Sequence, residues 1–154
     1  MDKQKIKEAL ITKLNRTRSF FLEIAKKYQL EAPHAIGSRS DTIKSQLEIL
    51  ASDTAQRSED LKKLIIDLQQ IGIKKSEHVQ LGSLVQLEED VTELYFYLVP
   101  EGAGGQDLES GGLHVQAISI NSSLGEKLFL KKIGEEIEMR VMAGTRRLKI
   151  LDIK

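Results

Sequence analysis

Residues 118–139 read "ISINSSLGEKLFLKKIGEEIEM", and this stretch decides the fold. Ile118 and Ile120 alternate with polar neighbours as a half-buried β-strand does. Asn121-Ser122-Ser123 break the alternation, a brief helical pattern follows, and Gly134 stops it before a second strand-like run. One turn of helix inserted between strands predicts a sheet with a short helix packed on it, the signature of an α+β domain.

The composition narrows what such a domain can do. With 154 residues the chain is long enough for one domain of ordinary size or a small domain plus an appendage. Lys+Arg and Asp+Glu are equal at 23 each, so no global field draws the protein to nucleic acid or an anionic membrane. Cysteine is absent, which excludes disulfides, thiolate metal ligands and a cysteine nucleophile and suits a reducing compartment. The opening Met1-Asp2-Lys3-Gln4 lacks the apolar core of a signal peptide, and no apolar run approaches the roughly 18 residues that span a bilayer. The expectation is a soluble, cytoplasmic protein.

The period changes near residue 75. Before it, Ile43, Leu47, Leu50, Thr54, Arg57, Leu61, Leu64, Leu68 and Ile71 follow one another in alternating steps of four and three, a heptad seam interrupted by polar residues at Thr54 and Arg57. An earlier segment repeats the pattern more loosely at Ile6, Leu10, Leu14, Thr17, Phe21, Ile24 and Tyr28. Two amphipathic helices of about 25–30 residues are predicted to fold back as an antiparallel coiled-coil hairpin about 40 Å long. The linker "EAPHAIGSRSD", residues 31–41, forms its tip: Pro33 disfavours helix at Ala32, Gly37 permits the turn, and Ser38-Arg39-Ser40-Asp41 has the form of a capping signal. Arg57 on the seam is expected to reach solvent or an acid on the first helix. Phe20 and Phe21 cannot both face the seam, which leaves Phe20 on the flank as a contact for a partner.

After Gly72 the period drops toward two. Strands are expected at Gly82–Leu87, Thr92–Val99, Leu113–Ile120, Glu136–Met142 and Arg147–Ile153 in an antiparallel sheet, with the helix at Leu124–Leu130. Leu128, Phe129 and Ile133 are expected in the core, and "EGAGGQDLESGG" after Pro100 reads as a long loop. The domain division is residues 1–75 for the hairpin and 76–154 for the small sheet domain.

A strand ending Ile118-Ser119-Ile120-Asn121-Ser122, then Leu124-Gly125, a short apolar-faced helix, Lys131-Lys132-Ile133-Gly134, Glu135-Glu136 and an alternating strand resembles the C-terminal domain of the bacterial GreA/GreB transcription elongation factors. "GSLVQLEED" at 82–90 and the closing "RRLKILDIK" are similar to that domain's first and last strands. The resemblance implies an FKBP-like fold for the sheet domain and a coiled-coil hairpin before it. It also implies RNA polymerase as the partner: the globular domain docks on the rim of the secondary channel and the hairpin enters it, close to RNA and DNA. Carried over, Ser122, Ser123, Leu124 and Gly125 lie at the docking contact, although the family commonly has proline where Ser123 stands. Ser38, Arg39, Ser40 and Asp41 form the channel tip.

Catalytic members of that family carry closely spaced acids at the tip, which help hold a second magnesium ion over the polymerase's own site. Mg²⁺ is a hard cation commonly held through one or two carboxylates, and a two-metal site stabilises the attacking and leaving oxygens together. This chain offers Asp41, with Glu31 and Glu48 next; Glu48 lies about two helical turns on, roughly 10 Å away. Asp41 is therefore expected to serve chiefly as a helix-start acid opposite the macrodipole, with a shared magnesium contact as its sharper role.

Other chemistry is weakly signalled. His34, His78 and His114 lack metal-site spacing, the glycines at 102–112 lack a phosphate-loop context, and there is no nucleophile elbow. No cofactor, metal, membrane or small-molecule substrate is expected. The leading reading is a polymerase-binding factor that modulates elongation or initiation and is not itself an enzyme. One alternative is a stimulator of backtracked-transcript cleavage through Asp41. Another is an FKBP-like prolyl isomerase or chaperone, for which the aromatics Tyr95, Phe96, Tyr97 and Phe129 would have to line one pocket; three consecutive strand residues cannot all do so.

Overall fold

A computed structural model describes residues 2–34, 40–73, 75–142 and 144–154, with the side chains of His34 and Ser40 outside the description. The chain divides into two compact units, Thr12–Ile66 and Met1–Ile11 with Asp67–Lys154. Each is taken by itself.

Two long helices supply the first unit and the start of the second: α1, Lys3–Glu31, and α2, Ser40–Gln70. Neither contains Gly or Pro, and both are rich in Leu, Lys, Glu, Gln and Ala, which lose little on entering a helix. Asp2 starts α1 by accepting the Gln4 N–H at 3.0 Å on Oδ1. A 3-10 turn at Ala32–His34, containing Pro33, follows α1, and Gly72 follows the end of α2.

Within Thr12–Ile66 the guanidinium of Arg57 sits 5.9 Å from the centre of the Phe21 ring, and the short stretch from Glu31 to Ser40 can join helices in that contact only if α1 and α2 run antiparallel. The expected coiled-coil pairing is present, but the seam on α2 is displaced. The buried residues are Ala51, Ser58 and Ile65, with Leu47, Thr54, Ala55, Leu61 and Leu64 half-buried. Ile43 and Leu50, expected inside, are 49% and 45% exposed. On α1, Leu14 and Ala25 are buried, Phe21, Ile24 and Tyr28 are half-buried, and Thr17 is exposed. The pairing of residue 57 with 21 brings Ser58 to the level of Phe21 and, one heptad on, Ala51 to that of Tyr28. Small residues thus lie where α1 carries rings, in the large-against-small alternation of a packed layer. Arg57 finds an aromatic face rather than an acid, a cation–π contact worth about 0.5–1 kcal/mol at an exposed site.

In the other unit, Ile6, Leu10 and Leu68 are fully buried. The last turn of α2 has no basic residue. Lys7 from α1 supplies one: its Nζ donates to the carbonyls of Gln69 at 2.8 Å and Ile71 at 2.7 Å, satisfying oxygens that a helix end leaves without partners and placing a cation at the negative end of the dipole.

The sheet has six strands, β1 Leu84–Glu89, β2 Thr92–Val99, β3 Gln106–Ser110, β4 Leu113–Ser119, β5 Glu136–Val141 and β6 Gly144–Ile153, with one short helix, α3, Ser123–Leu128. Their order is β3-β4-β2-β1-β6-β5. This is the expected α+β domain with three corrections. Gln106–Ser110, read as loop, is an edge strand paired with β4, whose only buried side chain is Leu108. Gly111 and Gly112, with φ of 61° and 77°, make the two-residue turn that joins them. Inserting β3 into the connection leaves β2 and β4 parallel, Phe96 beside Gln116, in an otherwise antiparallel sheet. Finally, Leu128 is buried as expected, whereas Phe129 and Ile133 are 39% and 51% exposed, because α3 ends at Leu128 and a single turn turns only one side to the sheet.

The core is built from alternate residues of the strands, Val85 and Leu87, Phe96 and Leu98, Ile118, Ile137, and Leu148 and Ile150, then Ile153 beyond a register shift opposite Gln86 and Leu87, closed by Val79 and Leu128. At about 1.5–3 kcal/mol for each buried large apolar side chain, this cluster holds α3 and the turn before it in place.

Candidate functional site: the β4–α3 turn and the hairpin tip

The turn that leaves β4 is built around Ser119 and Ser122. The Ser119 carbonyl accepts two hydrogen bonds from Ser122, from N–H at 3.0 Å and from Oγ at 2.6 Å. Ser122 Oγ in turn accepts the Gly125 N–H at 3.0 Å, and the Ser122 carbonyl accepts the Glu126 N–H at 2.8 Å. Ser122, extended at φ −76° and ψ 157°, is the N-cap of α3. Gly125 follows from the same closeness: a Cβ there would lie 2.1 Å from the Ser119 carbonyl oxygen and 3.0 Å from Ile120 Cα. Only a residue without a side chain lets the helix start against the strand it has just left.

The four residues at 122–125 therefore divide. Ser122 and Gly125 shape the turn, Leu124 is half-buried against the core, and Ser123 is exposed. A neighbouring groove of about 490 Å³ runs between this turn and the loop after β2, bordered by Glu101, Gly104, Ser119, Asn121 and Ser122. Asn121 Nδ2 donates to Glu101 Oε2 at 2.9 Å across it, and a Cβ on Gly104 would meet the Ser119 nitrogen at 2.7 Å. The loop is thus held beside the turn at a definite spacing.

Sequence reasoning missed the apolar surface just beyond. Phe129, Leu130 and Ile133 are all exposed, and Leu130 is in the left-handed region at φ 63°, a conformation that costs a non-glycine residue about 1–2 kcal/mol. Its N–H donates to the Val79 carbonyl while the Val79 N–H donates to that of Lys131, both at 2.8 Å, which holds the segment. Glu135 closes it by accepting from the Lys132 N–H at 2.6 Å and from Lys131 Nζ at 3.0 Å. Those bonds, the backbone one foremost, keep its carboxyl below the usual carboxylate range. The signal in the sequence was the length of the helical stretch: one turn cannot bury Leu124, Leu128, Phe129, Leu130 and Ile133 together.

At the hairpin tip, Ser38 and Arg39 lie outside the described residues. Ser40 opens α2 and Asp41 is exposed in its first turn, where a negative charge faces the positive end of the helix dipole. Among the described residues no group of three or more His, Cys, Asp or Glu is placed to hold a metal ion. His78 sits in an isolated bridge with Lys132, and His114 is an exposed residue of β4. Of the aromatics after residue 75, Tyr97 is buried, Phe129 is exposed, and Tyr95 donates to Glu93 at 2.7 Å. Hydroxyls, an amide and apolar side chains on a rigid turn can bind a protein surface.

Residues 74–154 match the model of a protein family described as transcription elongation factor, GreA/GreB, C-terminal. No curated protein matches the chain. Solved structures that resemble it include the transcription factor Gfh1, at 23% identity and TM-score 0.44 over 96% of this chain and 92% of that one. GreA factor homolog 1 of Thermus thermophilus resembles it at 20% identity and TM-score 0.41 over 96% and 94%. For a GreA/GreB elongation factor from Nitrosomonas europaea the values are 23% and 0.41 over 71% and 92%.

Proposed function

Because the chain belongs to the GreA/GreB family of transcription elongation factors, we propose that it binds RNA polymerase at the secondary channel and modulates elongation or initiation. The family match over residues 74–154, which carry the β4–α3 turn, is the observation on which this reading rests. In it, residues 76–154 dock on the polymerase and residues 1–75 supply the arm that enters the channel. Ser123 and Leu124 make the contact on the turn shaped by Ser122 and Gly125, and exposed Phe129, Leu130 and Ile133 extend it. Ser38, Arg39, Ser40 and Asp41 are the part of the arm nearest RNA and DNA. The place of action is the bacterial cytoplasm; among the described residues no helix is long and apolar enough to cross a membrane.

Gre-family factors are transcription factors and not enzymes in themselves. In this reading Asp41 starts a helix and does not furnish a magnesium site, since one carboxylate with Glu48 two turns away makes a poor pair. The test is RNA cleavage in backtracked polymerase complexes. The protein is expected to bind without accelerating cleavage, and Asp41→Asn to bind as well as the parent. Faster cleavage that Asp41→Asn abolishes would establish the cleavage-stimulating alternative instead.

A further inference from the structure

The sheet ends on one side at β5, which pairs with β6 and leaves its other edge open. Edge strands are commonly blunted by Lys, Pro, a bulge or an inward-pointing charge, and Glu136–Val141 has none of these. Ile137 belongs to the core, Met139 packs against it, and Val141 continues their line at 37% exposed. The Ile150 N–H donates to the Glu135 carbonyl at 2.9 Å. Groups facing a neighbouring strand alternate along an antiparallel ladder, and the register is unbroken from Glu136 to Val141. Ile137, Met139 and Val141 therefore turn their backbone N–H and C=O to β6, and Glu136, Glu138 and Arg140 turn theirs away from the sheet.

We propose that this open edge binds the same edge of a second copy, antiparallel, about a two-fold axis at Met139, so that the two sheets become one. In that register Met139 opposes Met139, Ile137 opposes Val141 and Glu138 opposes Arg140, the last two pairings each occurring twice. The outward backbone groups of Glu138 then exchange hydrogen bonds with those of Arg140, with the apolar pairs on the core side and the charged pairs on the other. A slip of one residue would set apolar side chains against charged ones. A slip of two would bring Glu138 onto Glu138 or Arg140 onto Arg140, like charges that destabilise a pairing. Both charged groups are able to respond. Among the described residues Arg140 is exposed and in no ion pair, and Glu138 accepts from Arg147 Nε through Oε1, at 2.9 Å in an exposed pair. The other edge of the sheet is not its own complement, since β3 turned about Leu108 would set Asp107 against Glu109. A foreign strand would have to carry the pattern of β5 in reverse, which a second copy supplies by symmetry.

The test is sedimentation of the full-length protein over a range of concentrations, where a monomer–dimer equilibrium is expected. Arg140→Pro removes an N–H on the open edge, where proline is tolerated. It should raise the dissociation constant at least about tenfold with the circular dichroism unchanged. The deciding arm uses charge reversal. Glu138→Lys and Arg140→Glu should each dimerise at least about tenfold more weakly alone, because each then opposes like charges. An equimolar mixture of the two should recover the dimer, because a basic edge then faces an acidic one. A monomer at every concentration, a dimer indifferent to these substitutions, or a mixture no tighter than either variant alone would each overturn the proposal.

Discussion

At the scale of single residues, Ser122, Gly125 and Tyr97 carry the sharpest consequences. Ser122→Ala removes the N-cap and should cost about 1 kcal/mol. Gly125→Ala forces a Cβ onto a backbone carbonyl and should cost about 1–3 kcal/mol, since neither Ser119 nor Ile120 can yield without shifting the strand. Thermal unfolding measures both, and the order Gly125→Ala above Ser122→Ala is the expected outcome. Tyr97 is buried in β2 and its phenol is pushed up to about 12 by that burial. The unfolded chain gives up this proton near the ordinary 10 and the folded chain holds it. The neutral phenol thus leaves stability intact below pH 10 and lowers it between pH 10 and 12, by about 2–3 kcal/mol in all. Tyr95, whose hydroxyl donates to Glu93, is raised as well; titration of tyrosinate absorbance should therefore show a late phase to which Tyr97 contributes, and Tyr97→Phe should reduce that phase and lessen the loss of stability between pH 10 and 12.

At the scale of elements, the sequence was most legible where large apolar residues keep a period and least where small ones decide. The two helices, the strands of the core and the single short helix between them all follow from spacing. The seam of α2 followed only in part: Leu47, Leu61, Leu64 and Leu68 lie inside as spaced, but Ala51 and Ser58, which are buried in place of Leu50 and Arg57, carry almost no hydrophobic signal. Strand β3 was hidden for a related reason: an edge strand with one buried Leu108 in "QDLES" has no alternation to read, and only the two glycines after it mark a hairpin. The exposed positions of Phe129 and Ile133 were misread because hydrophobicity does not report how short a helix is. The displaced seam makes a prediction of opposite sign to the pattern. Ala51→Leu overfills a buried layer and should destabilise by about 1–3 kcal/mol, whereas Leu50→Ala, at a half-exposed position, should cost less than about 1 kcal/mol. A heptad seam through Leu50 would reverse that order in a thermal melt.

At the scale of the whole molecule, the proposed function gives the sheet domain and the helical arm separate tasks. The turn at 122–125 was legible as a turn because its serines and glycine interrupt a strand in a recognisable order; the exposed apolar residues at 129–133 beside it became visible only in the fold. Binding is expected to depend on that surface, and the chemistry at the tip should contribute little to it. The most direct test is the affinity of the purified protein for core RNA polymerase, compared with that of a Leu124→Asp/Phe129→Asp variant whose folding is verified by circular dichroism. Specific binding by the parent and a loss of at least about tenfold, equivalent to about 1.4 kcal/mol, in the folded variant is the expected result. Parent and folded variant binding polymerase alike, or neither binding at all, would contradict the assignment of this face as the docking surface.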